Sequence, residues 1–374
     1  MTYQLLYSMK RRFFSLLLMA SAAIFMSQTV SGQEIEYHDA AAFPLYGKAS
    51  ENTLSRYERL PGNLESVSRE PVWILGRNST GLYIRFRSNS TAIYARWTSR
   101  RGTEMNHMAA TGIRGLDLYA MYDGEWRFAG CARPAAEKTS DVPVVRYMDG
   151  EFREYMLYLS LYDGVTALEI GVDKGSVLEQ PRLDSPVSDR PVVAYGTSIL
   201  QGGCVSRPGM VETSVLSRLL DREVINLGFS GNALLDYEIA ELMASVPDPA
   251  LYILDNVPNA SAKLIDEKGE KFFRIIRDAH PDVPVIFVED PEYPTTLFDS
   301  ELRDLMVSRN AAQKRLFAKL KADGEKLIYY VGAEGMIGDD GEATVDGEHF
   351  TDLGSVRYVR HILPTVKKAL KRSL

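Results

Sequence analysis

The 374-residue chain has only 2 cysteines, 5 histidines and 3 tryptophans. Cys131 and Cys204 cannot make a CxxC pair, and no Cys/His cluster is visible along the sequence, which argues against a structural zinc site. A disulfide between them needs a Cα separation that spacing does not supply, so two buried thiols is the simpler expectation. No apolar run reaches the roughly 20 residues that cross a bilayer. Basic runs are missing too, apart from a modest tail of Lys367, Lys368, Lys371 and Arg372, and the net charge is −7. Without the first 32 residues, which hold Lys10, Arg11 and Arg12 and no acid, 50 acidic residues face 40 basic ones and the charge is −10. A chain this acidic is a poor nucleic-acid binder. At 25% charged and 45% hydrophobic, with 17 Pro and 28 Gly, it is neither disordered nor collagenous.

What is present begins with an address. Lys10, Arg11 and Arg12 precede the uncharged stretch Phe13 to Met26, and small residues follow up to Gly32. A basic start, a short apolar core and a cut after Gly32 predict a cleaved secretory signal over residues 1–32 and an exported protein without stable membrane insertion.

Periodicity then divides the chain. Over residues 33–183, Leu82, Ile84 and Phe86 alternate with Tyr83, Arg85 and Arg87, and Leu157, Leu159 and Leu161 alternate with Tyr158, Ser160 and Tyr162. Such alternation predicts an antiparallel sandwich whose strands bury one face. Asp123-Gly124, Asp149-Gly150 and Asp163-Gly164 are the expected hairpin turns. Pro181 to Pro191 reads as a linker. Over residues 184–374, continuous apolar runs at Val192–Tyr195, Val224–Leu227, Leu251–Leu254, Val285–Val288 and Leu327–Val331 are each followed by helical spacing. Five strands buried on both faces predict a doubly wound parallel sheet, since eight-stranded barrels need more units.

In such sheets ligands bind beyond the carboxyl ends of the strands. Gly-x-Gly-x-x-Gly is missing after the first, which excludes a dinucleotide oxidoreductase. Ser198 follows that strand in Gly196-Thr197-Ser198-Ile199; Gly228 follows the second; Asn256 and Asn259 follow the third; Asp346 and His349 follow the fifth. Elimination among the histidines favours His349: His38 and His107 fall in the sandwich, His280 at a helix end, and His361 inside the last helix. Ser198, Asp346 and His349 can fill the roles of nucleophile, orienter and base. Residues alone leave blander roles open: Ser198 or Asn259 as a helix cap, Gly228 as a turn, Asp346 and His349 as a surface pair, and Arg207 as an anchor or a substrate contact.

The sequence resembles the SGNH (GDSL-like) hydrolases, in the subgroup whose β-sandwich carries Gly-x-Asp-Leu-Tyr. Gly115-Leu116-Asp117-Leu118-Tyr119 matches that signature. Four blocks follow in order: Gly196-Thr197-Ser198, Asn226-Leu227-Gly228-Phe229-Ser230-Gly231, Asp255 with Pro258-Asn259, and Asp346-Gly347-Glu348-His349. The resemblance implies a flavodoxin-like, five-stranded catalytic domain and a serine esterase with Ser198, His349 and Asp346 as its triad. It implies an oxyanion hole of the Ser198 and Gly228 N–H groups with Asn259, and no metal or organic cofactor. The expected substrates are short acyl esters, acetyl foremost, on small molecules or glycans. The rivals are a longer-chain lipase or thioesterase-like acylhydrolase, and an inert carbohydrate-binding protein.

Overall fold

The computed structural model describes residues 34–371, so the secretory signal expected over residues 1–32 lies outside the described residues. The alternating region builds β1 (Ile35–Asp39), β2 (Leu45–Tyr46), β3 (Tyr83–Ser88), β4 (Ile93–Ser99), β5 (Leu116–Tyr122), β6 (Glu125–Ala132), β7 (Thr139–Val145), β8 (Arg153–Tyr158), β9 (Val165–Asp173) and β10 (Leu178–Glu179). Helices α1 (Glu70–Gly76) and α2 (Ala110–Ile113) interrupt them. Two antiparallel sheets result, ordered β1-β9-β4-β7 and β10-β3-β8-β5-β6, with β2 beside β3. Phe86, Trp97, Leu118, Leu157 and Ile170 meet in the core between them. One of the three expected hairpin turns forms. Asp123 and Gly124 both take positive φ and join β5 to β6. Asp149-Gly150 and Asp163-Gly164 instead connect strands in different sheets. Asp163 is buried there, and its carboxylate accepts the N–H groups of Arg101, Thr103 and Gly164.

Beyond the linker the five expected runs become β11 (Val192–Gly196), β12 (Val224–Gly228), β13 (Leu251–Asp255), β14 (Val285–Val288) and β15 (Ile328–Val331). They pair in parallel in the order β12-β11-β13-β14-β15, the flavodoxin-like arrangement. Helices α3 (Glu212–Leu220), α4 (Tyr237–Ala244), α5 (Ala262–Ala279), α6 (Ser300–Ala322) and α7 (Asp352–Leu370) complete the units. The absence of alternation has a direct cause: Val193 and Tyr195 enter the core on one face while Val192 and Ala194 enter the core on the other.

The two halves interlock. Leu60, Leu64, Val72 and Trp73, all before β3, pack into the same core as Val193, Tyr195 and Leu227. Arg59 is buried with them. Its guanidinium donates to the carbonyls of Asn78, Asn226, Gly228 and Leu75 at 3.1, 3.1, 2.9 and 2.7 Å, so the edge strand β12 finds hydrogen-bond partners in the N-terminal half. The face of β3, β5 and β8 that alternation predicts to be polar is covered as well. Tyr83, Tyr119, Met156 and Tyr158 form a buried cluster there, Tyr158 donates to the Ser214 carbonyl, and the Arg218 guanidinium lies 4.0 Å over the Tyr119 ring.

At the centre of this joint is the Gly-x-Asp-Leu-Tyr segment on β5. Leu116 and Leu118 face the sandwich core, while Asp117 and Tyr119 face the catalytic half. Buried Asp117 accepts from the Arg207 guanidinium and from the Gly209 N–H at 2.9 Å, and Tyr119 accepts from Arg207 at 2.8 Å. Arg207 is therefore an anchor. Thr111 of α2 adds a hydrogen bond to the Ser206 carbonyl at 2.6 Å. Asp117→Ala leaves a guanidinium and an N–H without their acceptor, and should cost about 3–5 kcal/mol of unfolding free energy in urea. A change below about 1 kcal/mol would mean that the pair is dispensable.

Beneath the same joint, burial pushes the Glu212 carboxyl up to about 8, with the Asp255 charge adding to it, and burial pushes Asp255 itself up to about 8 although Tyr358 donates to it at 2.9 Å. The folded chain keeps these protons where the unfolded chain has lost them, so their contribution to stability is complete in acid and disappears as pH rises through about 8. Urea stability should fall between about pH 5 and 9, by up to about 1.4 kcal/mol per pH unit for each group. Glu212→Gln, neutral throughout, should flatten that slope; an unchanged slope would show that Glu212 does not titrate there.

Candidate active site

Ser198 stands two residues beyond β11, at the start of a tight turn. The Gly202 and Gly203 N–H groups donate back to the Ile199 and Ser198 carbonyls at 2.7 and 2.8 Å. No regular helix begins at Ser198, and α3 starts only at Glu212, so the capping role does not apply. Neighbouring side chains hold the turn. Tyr162 donates to the Ser198 carbonyl at 3.1 Å, and buried Asn226 donates to the Leu200 carbonyl at 2.6 Å and to Thr213 at 2.8 Å.

His349 and Asp346 lie on the loop before α7, which is closed by a Thr344–Phe350 bridge and by the Val345 N–H donated to the His349 carbonyl at 2.8 Å. Gly347 is required at its tip: φ is +98°, and a Cβ would lie 2.3 Å from Thr295 Cγ2. His349 Nε2 is 2.8 Å from Ser198 Oγ, and His349 Nδ1 is 2.8 Å from Asp346 Oδ2. The other Asp346 oxygen accepts the N–H groups of Glu348 and His349 at 3.1 and 2.9 Å. Partial burial pushes the Asp346 carboxyl up, but the His349 N–H donors and the Glu348 N–H outweigh it and hold the group below its ordinary value. Asp346 thus stays ionised and fixes the proton of His349 on Nδ1, leaving the Nε2 lone pair toward Ser198. The three residues proposed from the sequence do meet.

Gly228 does not serve as expected. Its N–H donates to Asn226 Oδ1 at 2.9 Å. A Cβ on Gly228 would lie 2.4 Å from the Gln201 nitrogen, so the residue is a glycine because the nucleophile turn packs directly against β12. The free donor of this block is Gly231, which is exposed at φ +66° with no partner for its N–H among the described residues. The neighbouring N–H groups are taken: Ser230 donates to Gln201 Oε1 at 2.9 Å, Asn232 to the Phe229 carbonyl at 2.8 Å and Ala233 to Asn259 Oδ1 at 3.3 Å. Because Ala233 needs an acceptor, Asn259 must present its oxygen there, and its Nδ2 is left for the cavity beside Ser198. Asn256 is buried and lies outside that cavity, and the cap of α5 is Ser261.

The cavity encloses about 150 Å³. Ser198, His349 and Asn259 border it, with Tyr293, Arg309 and Glu348 as further polar walls and Leu302 and Leu305 from α6. Asp290, fully buried, faces Arg309 at 3.4 Å, while Arg309 Nε is buried without a partner among the described residues.

His107 lies in the sandwich half, as its position predicts, and its ring centroid is nevertheless only 5.9 Å from that of His349. Nothing local to the sequence reveals this, because the proximity is made by the domain joint. Cys131 and Cys204 are both free thiols, the first half-buried and the second buried, and burial pushes each up to about 12. Neither is a nucleophile near neutral pH. Although the sequence shows no Cys/His cluster, the fold assembles one: single ligand atoms of His107, Cys204, Asp346 and His349 all lie within 4.8 Å of one another.

Comparison with known proteins agrees with this architecture. Residues 189–367 match the GDSL-like lipase/acylhydrolase family, and residues 35–178 match the GxDLY family, described as the N-terminus of SGNH-hydrolase-type esterases. A crystal structure described as a GDSL-like lipase from Bacteroides ovatus is 34% identical, with a TM-score of 0.86, over 90% of this chain and 98% of that one. The salicylyl-acyltransferase SsfX3 of a tetracycline biosynthetic pathway shares the fold at 15% identity and a TM-score of 0.70, over 90% and 99% of the two chains. A family two carbohydrate esterase from Cellvibrio japonicus does so at 12% identity and 0.57, over 90% and 98%. No match was found among curated proteins. With a 34% identical relative aligned along almost its whole length, and both halves matched in order, the chain belongs to the GDSL-like (SGNH) lipase/acylhydrolase family with an N-terminal GxDLY domain.

Proposed function

We propose that this acylhydrolase is an exported serine esterase that removes short acyl groups, acetyl foremost, from carbohydrate. The observation that carries the proposal is the cavity beside Ser198. At about 150 Å³ it is well below the roughly 300–1,000 Å³ of pockets for drug-sized ligands, which suits an acetyl group better than an extended fatty acyl chain. Its polar walls, Asn259, Tyr293, Arg309 and Glu348, offer donors and acceptors to a hydroxyl-rich alcohol. Among the structural neighbours that share the fold is an acetyl xylan esterase from Butyrivibrio proteoclasticus, 11% identical with a TM-score of 0.52. Export is supported by the signal pattern at residues 1–32.

The chemistry follows from the geometry. Ser198 Oγ attacks the ester carbonyl carbon as its proton passes to His349 Nε2, across the 2.8 Å hydrogen bond. Asp346 stabilises the imidazolium that forms. The oxyanion of the tetrahedral intermediate takes the N–H groups of Ser198 and Gly231 and the amide of Asn259. Collapse expels the alcohol, protonated by His349, and leaves an acyl group on Ser198. Water, deprotonated by His349, then releases the acid and regenerates the serine. The hydrogen-bonded Ser198–His349–Asp346 chain favours this reading over that of an inert carbohydrate binder.

Acetate release from acetylated xylan, and turnover of p-nitrophenyl esters of increasing chain length, test the proposal. Activity should be highest on acetyl and fall beyond butyryl; a maximum on long chains would replace it with a lipase. Ser198→Ala should lower kcat by at least about 10⁴-fold. Asn259→Ala should lower kcat by about 10²–10³-fold with little change in KM; an unchanged kcat would remove the Asn259 amide from the oxyanion hole.

A further inference from the structure

His107 and Cys204 stand against the Asp346–His349 pair and take no part in the ester chemistry. They come from separate parts of the fold. His107 lies in the sandwich half just before α2, and Cys204 closes the turn that starts at Ser198. His107 uses Nδ1 toward Asn106 at 3.0 Å, which leaves its Nε2 without a partner among the described residues. Cys204 is a buried residue, 7% exposed, and its thiol has no hydrogen-bond partner among them either. An unpartnered thiol buried beside a carboxylate and two imidazoles is an arrangement that a cation satisfies.

The donor set selects the cation. Two imidazole nitrogens, one sulfur and one carboxylate oxygen suit Zn²⁺ and its borderline-soft relatives, whereas Mg²⁺ and Ca²⁺ prefer oxygen. Bond lengths of about 2.0–2.3 Å place the ligands of tetrahedral zinc about 3.3–3.8 Å apart. With all four ligand atoms already within 4.8 Å of one another, side-chain movements suffice to close the shell. Charge balances as well: the Cys204 thiol gives its proton to solvent, and thiolate plus the Asp346 carboxylate neutralise the dication.

We propose that His107, Cys204, Asp346 and His349 form a Zn²⁺-binding site whose occupation switches the enzyme off. Either nitrogen of His349 produces that result. Coordination through Nδ1 moves the ring proton to Nε2, where it faces Ser198 and blocks acceptance of the serine proton. Coordination through Nε2 occupies the lone pair that the serine proton needs. Asp346 is withdrawn from its orienting role in both cases. The inhibition rests on the triad proposed above, but occupation of the site does not.

Titrating the full chain with Co²⁺ as a spectroscopic stand-in reads occupation without turnover. One equivalent should produce a thiolate-to-cobalt charge-transfer band, Zn²⁺ should abolish it by displacement, and Cys204→Ser should lack it. In parallel, micromolar Zn²⁺ should inhibit ester hydrolysis, and a chelator should restore it. In His107→Ala and Cys204→Ser, whose circular dichroism and zinc-free turnover report that they are folded, half-inhibition should need at least about tenfold more Zn²⁺. Absence of the cobalt band, a band in a protein that zinc does not inhibit, or inhibition unchanged in both variants overturns the proposal. A chain inactive on every ester that still shows the band would overturn the esterase reading and keep the metal site.

Discussion

The segment Ser206–Gly209 is held from two sides, and it lies between the two loops that carry the proposed triad. Asp117 of the sandwich grips Arg207 and the Gly209 N–H. Asp352, at the start of α7, accepts from the Ser206 N–H at 2.8 Å and from its hydroxyl. His349 lies three residues before Asp352, and the nucleophile turn ends just before Ser206. One short segment therefore sets the nucleophile and base loops against each other. Ser198 and His349 are 151 residues apart in the chain yet 2.8 Å apart in space, and reactive geometry of that kind survives only on rigid supports.

The sandwich is thus part of the structure that holds the proposed triad in place. Its tyrosine-rich face is covered by α3, its signature aspartate fastens the nucleophile block, and Arg59 supplies hydrogen bonds to the carbonyls of the edge strand β12. An interface built of buried charge and aromatic packing leaves little freedom for the independent motion expected of loosely tethered domains. The same joint carries His107 to His349, so the half without the nucleophile still shapes the chemistry around it.

How much of this was legible depends on the range of each interaction. The five strands of the parallel sheet are visible because burial on both faces removes alternation, and the inward and outward sides of Leu116 to Tyr119 follow from period two. Ser198, Asp346 and His349 are legible through their places at strand ends. Gly228 and Gly231 are harder: both sit in one block, and only the Asn226 side chain, which captures the Gly228 N–H, tells them apart. Asp163-Gly164 looks like a hairpin because its turn chemistry is local, whereas the choice of sheet for the next strand is not. His107 gives no sign at all, since its neighbour is made by the docking of two halves.

In the proposed mechanism Ser198, activated by His349, forms a covalent acyl-enzyme. Intact-protein mass spectrometry after treatment with a p-nitrophenyl phosphonate, which leaves a stable tetrahedral adduct on an activated serine, tests it most directly. One adduct per chain is expected, mapped to Ser198 by proteolysis, and none on the same timescale in His349→Ala. Labelling at another residue, or equal labelling of Ser198 without His349, would contradict it.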